Sequence, residues 1–121
     1  MTDARRFPRW VFGHGEEPDP RFTLANERTF LAWTRTALAL VAGGVALEAL
    51  ALPIQPGLLA ASADILLVLG LVVAAMAWFR WALTERAARE SRPMPGASPA
   101  ALLAVGVTVV AVLLTLGIVL R

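Results

Sequence analysis

From Pro93 to Leu120 the chain carries no charged residue. Crossing the hydrocarbon core of a bilayer takes about 20 apolar residues in a helix, and this run supplies them with some to spare. Two further apolar blocks precede it. One runs from Phe30 to Leu52 and is interrupted by Arg35 and Glu48; the other runs from about Leu58 to Trp81, with Asp64 near its start and Arg80 near its end. Each is long enough to span if the charges near its ends reach back to the headgroups. The chain has 121 residues, 58% of them hydrophobic, and a mean hydropathy of +0.68. A water-soluble domain this small has too much surface to hide so many apolar side chains, so lipid is the expected solvent.

The sequence therefore predicts an all-α integral membrane three-helix bundle, with spans at about 30–52, 58–81 and 99–120 forming one membrane domain over 19–121. A short amphipathic extension precedes the first span. Residues 1–18 mix Arg, Pro, Gly and acids without periodicity and read as a flexible cytoplasmic tail, touching headgroups through Phe7, Trp10 and Phe12. They contain no apolar run, so no cleaved signal peptide is expected.

Local signals set the boundaries. Asp19-Pro20 reads as a cap followed by proline at the first helical position, where its missing N–H costs nothing. That helix is expected to end near Pro53, and Pro53-Ile54-Gln55-Pro56-Gly57 is a short turn. Beyond the second span, Glu85–Arg89 and Arg86–Glu90 are opposite charges four residues apart and predict a continuing surface helix. Arg92-Pro93-Met94-Pro95-Gly96 stops it, and Ser98-Pro99 starts the third. Arginines crowd the segment before the first span (Arg5, Arg6, Arg9, Arg21, Arg28) and the second connection (Arg86, Arg89, Arg92), whereas the first connection has none. The positive-inside rule then puts the N-terminus in the cytoplasm and the C-terminus outside. Trp33, Trp78 and Trp81 would lie near the cytoplasmic headgroups.

Several function classes receive no support. The chain has no cysteine, so disulfides and thiolate chemistry are excluded. Its one histidine, His14, has no metal-ligand partner at helical spacing, and neither a metal nor a cofactor is expected. All basic residues are arginine and the formal charge is only +2, without a basic run interleaved with aromatics, so nucleic acid is not an expected partner. There is no nucleophile with a base, no phosphate-cradling glycine loop and no dinucleotide fingerprint, and no enzymatic activity is expected.

Small residues at three- and four-residue spacing mark helix contacts in lipid. They recur on the first span (Ala32, Thr36, Ala39, Ala42, Gly43, Ala46), the second (Ala63, Gly70, Ala74, Ala77) and the third (Ala101, Ala104, Thr108, Ala111, Thr115). Contacts within one chain would satisfy such seams, but three helices enclose no pore, so a conduit would require several copies. Arg21, Arg28 and Arg35 stand seven residues apart and project from one side of a continuous helix. An arginine at the bilayer centre costs about 2.5–3.5 kcal/mol. Arg35 lies about 7–8 Å inside Phe30 at the helical rise, which fits a snorkelling anchor as well as a polar cavity. Glu27 is placed to orient Arg28 or Arg35, Arg80 and Arg121 read as interfacial anchors, and Glu48 and Asp64 as exposed acids near the outer ends of their spans.

The stretch Ala25-Asn26-Glu27-Arg28-Thr29-Phe30-Leu31-Ala32-Trp33, followed by Thr34-Arg35-Thr36-Ala37-Leu38, closely resembles the signature of YidH-like inner-membrane proteins, the domain-of-unknown-function 202 family. The resemblance covers Asp19 to Arg121. The fold is also similar to the membrane module of the eukaryotic vacuolar transporter chaperone complex, in which several copies surround a basic polyphosphate pore. By position, this second resemblance implies that Arg21, Arg28, Arg80 and Arg121, with Glu27 and the Asn26 of the same core, line, gate or orient a conduit. Arg35 follows the bacterial pattern instead.

Together these readings lead to a homo-oligomer in a bacterial inner membrane. Its arginine-lined cytoplasmic vestibule (Arg21, Arg28, Arg35, Arg80, Arg121) would bind or conduct anions such as phosphate or polyphosphate. The alternative is a non-conducting accessory module that binds another membrane protein and uses its arginines to hold anionic lipid.

Overall fold

A computed structural model describes residues 6–93 and 98–121. Among them the chain forms a single helical turn, α1 (Arg9–Phe12), and three long helices, α2 (Pro20–Ala49), α3 (Pro56–Arg89) and α4 (Ala100–Val119). All three long helices are sufficiently long and apolar to cross a membrane. The caps follow the sequence chemistry. Asp19 accepts from the backbone N–H of Arg21 at 2.9 Å, with Pro20 in the first turn. Gln55 does the same for α3, its side-chain oxygen accepting from Leu58 N–H at 2.7 Å. At α4 the cap residue is Pro99 rather than Ser98, whose hydroxyl accepts from Ala100 N–H at 3.3 Å.

Helix α2 ends at Ala49, three residues short of the expected 52. Leu50 is already extended, and Pro53, which has no N–H to bond the Ala49 carbonyl and disfavours helical backbone at Leu52, prevents the helix from resuming. Helix α3 ends in a left-handed cap. Ser91 has φ of 52°, and Arg92 N–H reaches back to Ala87 C=O at 2.8 Å. The Met94-Pro95-Gly96 part of the expected stop lies outside the described residues.

The helices form a layer with α3 in the middle. It packs along α2 on one side and α4 on the other, while the backbones of α2 and α4 stay apart. The residues that α2 turns toward α3 are Thr23, Asn26, Phe30, Trp33, Ala37, Leu40, Gly44 and Leu47, each buried or half-buried. Their spacing alternates three and four, the seam of a left-handed crossing. Two glycines let the backbones close up. A Cβ on Gly44 would stand 3.0 Å from Ala63 C=O, and one on Gly70 would stand 3.0 Å from Ala37 C=O. Ala37, Leu40, Leu69 and Val73 form the central core, with Trp33, Leu66 and Leu103 against it.

This arrangement corrects the reading of the seams. Ala63, Gly70 and Ala77 do face a neighbour and Thr36 and Gly43 are half-buried, but Ala74 of α3 and Ala32, Ala39, Ala42 and Ala46 of α2 are exposed. So are Ala101, Ala104, Thr108, Ala111 and Thr115 of α4, which meets α3 through Leu103, Gly106, Val110 and Gly117 instead. Two small-residue faces are left uncovered by the described residues.

Helix lengths place the rest. The 34 residues of α3 reach about 51 Å at the usual rise, some 20 Å more than the hydrocarbon core. The 30 residues of α2 reach about 45 Å. The polar excess of both lies at the end that carries the N-terminal segment, so the first turns of α2 and the last turns of α3 form a two-helix stub beyond the apolar runs.

Candidate functional site

The stub concentrates the polar chemistry of the molecule. Glu85 of α3 is fully buried against α2, where its two oxygens accept from Thr23 Oγ at 2.8 Å and Asn26 Nδ2 at 3.2 Å. Asn26 also donates to Trp81 C=O at 2.9 Å. Asn26 therefore fastens α2 to α3. The signal was present in the sequence: Thr23 and Asn26 continue the three-four spacing of the α2 seam, which puts polar groups where a partner must satisfy them.

Arg89 shows a second departure. The expected Glu85–Arg89 pair does not form, because Glu85 turns inward to α2. Arg89 instead fans its guanidinium into the N-terminal segment, donating to Phe12 C=O at 3.1 Å, His14 C=O at 2.9 Å and Glu17 at 3.0 Å. Glu17 also pairs with Arg6 at 3.2 Å, and the Arg6 guanidinium lies 4.0 Å from the Phe12 ring centroid. Val11 and Phe12 are buried against Ala82, with Trp10, Trp78 and Trp81 around them. The expected flexible tail is thus, from Arg6 onward, folded onto α3. Its apolar Trp-Val-Phe run has a platform and its carbonyls have a guanidinium donor. Phe7 alone of the three tail aromatics stays largely exposed, and residues 1–5 of the expected tail lie outside the described residues. The other expected pair, Arg86–Glu90, does form at 2.9 Å.

The hydrogen bond from Arg89 holds the Glu17 carboxyl below its ordinary range, against a desolvation that pulls the other way, and the charges of Arg6 and Arg89 add to the lowering. Asp19 is lowered by its bonds to Arg21, and Glu90 by its bond to Arg86.

Arg21, Arg28 and Arg35 are all exposed and lie on the side of α2 opposite the α3 seam, two residues before Thr23, Phe30 and Ala37. That stripe runs on into Ala42 and Ala49. Arg21 is tied to the capping Asp19 at 3.0 Å. Arg28 and Arg35 form no ion pair with Glu27, which lies instead on the flank of α2 beside α3. Arg80 sits on the other flank, in a groove of about 250 Å³ shared with Phe22, Asn26, Thr29, Thr84 and Glu85. Arg121 is at the far end of the molecule, donating to Pro53 C=O at 3.3 Å. The structure therefore gathers Arg21, Arg28 and Arg35 on one face, sets Arg80 beside it, and leaves Arg121 at the opposite end of the helices. Glu48 and Asp64 are both exposed, Asp64 opening on an apolar groove between α3 and α4.

Three membrane-length helices with a clasped polar stub define a small multi-pass membrane protein of the all-α class. The chain belongs to the DUF202 family, a domain of unknown function, whose pattern matches residues 21–87. It is 46% identical over 97 residues to the uncharacterized protein Rv2272 of Mycobacterium tuberculosis, covering 79% of this chain and 80% of that one. It is 41% identical over 100 residues to the inner membrane protein YidH of Escherichia coli K12, covering 82% of this chain and 87% of that one. No solved structure matches the chain.

Proposed function

We propose that this protein is a homo-oligomeric inner-membrane protein whose arginine stripe lines a cytoplasmic vestibule that binds or conducts anions, phosphate-rich ones included. The observation that carries the reading is the placement of Arg28 and Arg35. They stand on a face of α2 that no helix of the same chain covers, and the face continues into the exposed small residues Ala39, Ala42 and Ala46. A close contact between copies through those alanines would bring the arginines of several subunits around a common axis. Guanidinium forks so gathered bind phosphate oxygens and concentrate anions.

The inner-membrane location accords with the relative YidH, whose name places it there. The N-terminus is cytoplasmic on the arginine bias, and the C-terminus with Arg121 is outside. Arg80 flanks the vestibule, Arg121 stands at the opposite, outer end of the helices, and lipid is the remaining partner. The protein acts by binding or passage, not by catalysis.

Anion flux into liposomes reconstituted with the protein tests this reading. Arg28→Ala and Arg35→Ala are expected to lower the flux several-fold each. No flux, or flux indifferent to both changes, removes it. A monomer that co-purifies with a different membrane protein would favour the accessory-module reading.

A further inference from the structure

The groove on the Glu27 flank of α2 plays no part in the vestibule. It has a volume of about 310 Å³ and is walled by Phe30 and Leu31 of α2 and by Trp78 and Trp81 of α3, with Glu27 as its one charged group among the described residues. The rings are set close and tilted. Phe30 and Trp81 have centroids 6.3 Å apart at 53°, and Trp78 and Trp81 have centroids 6.3 Å apart at 42°. Indole and phenyl faces are electronegative, and a carboxylate beside them deepens that potential. Glu27 is exposed and forms no ion pair with its neighbours Arg28 and Arg35.

The occupant this surface calls for is an organic cation. A small metal ion would give up its water for ring faces and one carboxylate, a poor exchange for a hard cation. An ammonium group on a carbon chain suits both the rings and the carboxylate. The groove also has a direction: Glu27 lies in the stub, while Phe30 and Leu31 begin the membrane span, so its apolar wall runs from the headgroup level toward the hydrocarbon. An anionic headgroup would meet the Glu27 carboxylate. We propose that this groove binds the ammonium headgroup of a phospholipid of the phosphatidylethanolamine kind, with the acyl chain laid along Leu31. The site is independent of the anion vestibule, because it sits beside the α3 seam and the arginines face away from that seam.

Native mass spectrometry of the full-length protein, released from nanodiscs of equal phosphatidylethanolamine and phosphatidylglycerol, reads this directly. The ethanolamine lipid is expected to dominate the retained lipid. Glu27→Gln, at an exposed side chain with no structural bond, is expected to cut its retention roughly five- to tenfold and to leave the glycerol lipid unchanged. Equal retention of the two lipids, or indifference to Glu27→Gln, overturns the proposal. Glu27-dependent retention of free ethanolamine from millimolar solution, with no Glu27-dependent retention of the lipid, overturns it in favour of a soluble cation.

Discussion

The Arg89 side chain has no solvent exposure, yet it is charged and joins segments more than seventy residues apart in sequence. A guanidinium in that position is tolerated because its donors meet two backbone carbonyls and a carboxylate. Hydrogen bonds to charged groups contribute roughly 1.5–3 kcal/mol. Arg89→Ala is therefore expected to destabilise the stub by about 2–3 kcal/mol and to free the N-terminal segment, which thermal unfolding in detergent and limited proteolysis before Pro18 would register. Arg89→Lys should recover only part of the loss, since an ammonium cannot reproduce the fork. The clasp is also pH-dependent. Folding lowers the Glu17 pKa, so the unfolded chain takes up the proton first as pH falls. The stabilisation is complete above the usual glutamate value of about 4.3 and is lost as pH drops through the lower, folded value. Trp10 packs edge-on against Trp78 with centroids 6.3 Å apart, and the emission of this pair, in a variant with Trp33 and Trp81 replaced by Phe, should shift in that acid window. A shift centred near neutrality would contradict the assignment to Glu17. None of this was visible in the sequence, because the partners of Arg89 are backbone carbonyls of a distant segment, and the local rule pointed to Glu85 four residues away.

At the scale of the elements, the helices and their proline-marked starts were legible because apolar length and cap chemistry are local properties. Their contact faces were not. Small-residue spacing correctly marked Ala63, Gly70 and Ala77 on α3, yet it singled out the uncovered sides of α2 and α4. The true α2 seam mixes Phe30, Trp33 and Leu40 with Ala37 and Gly44, so the criterion of size alone passed over it. Where size does decide is at the glycines. A side chain on Gly70 would meet Val41 Cγ2 at 2.7 Å and the Ala37 carbonyl at 3.0 Å, and backbone cannot yield as a flexible side chain does. Gly70→Val is expected to cost about 1–3 kcal/mol by overpacking, seen as a lowered unfolding temperature, whereas Ala74→Val on the exposed side of the same helix should be nearly neutral. Equal effects would mean that the two helices do not cross at Gly70. The C-terminal cap of α3 offers the opposite sign. Ser91 holds a φ of 52° that glycine adopts without strain, and Ser91→Gly should raise stability by about 0.5–1 kcal/mol.

For the whole molecule, the question posed by the fold is what covers the outer face of α2. A layer of three helices with α3 at its centre leaves that face to lipid or to another protein. Lipid is an unfavourable neighbour for Arg35, about 7–8 Å below Phe30 along the helix, unless its side chain stretches to the headgroups, and the cost of a buried arginine is about 2.5–3.5 kcal/mol. A second copy of the chain removes that cost by enclosing water and offers the alanines a close-packed partner. The chain contains no cysteine, so single cysteines report neighbours without background. Ala39→Cys, on the arginine side of α2, is expected to form disulfide-linked dimers when native membranes are oxidised. Ala37→Cys, only 4% exposed in the seam with α3, should remain monomeric under the same treatment. Linkage at Ala39 but not at Ala37 would set the arginines of adjacent subunits face to face. Failure to link at Ala39 and equally at Ala42 would leave the stripe in contact with lipid, and Arg28 and Arg35 would then serve as headgroup anchors with no vestibule between them.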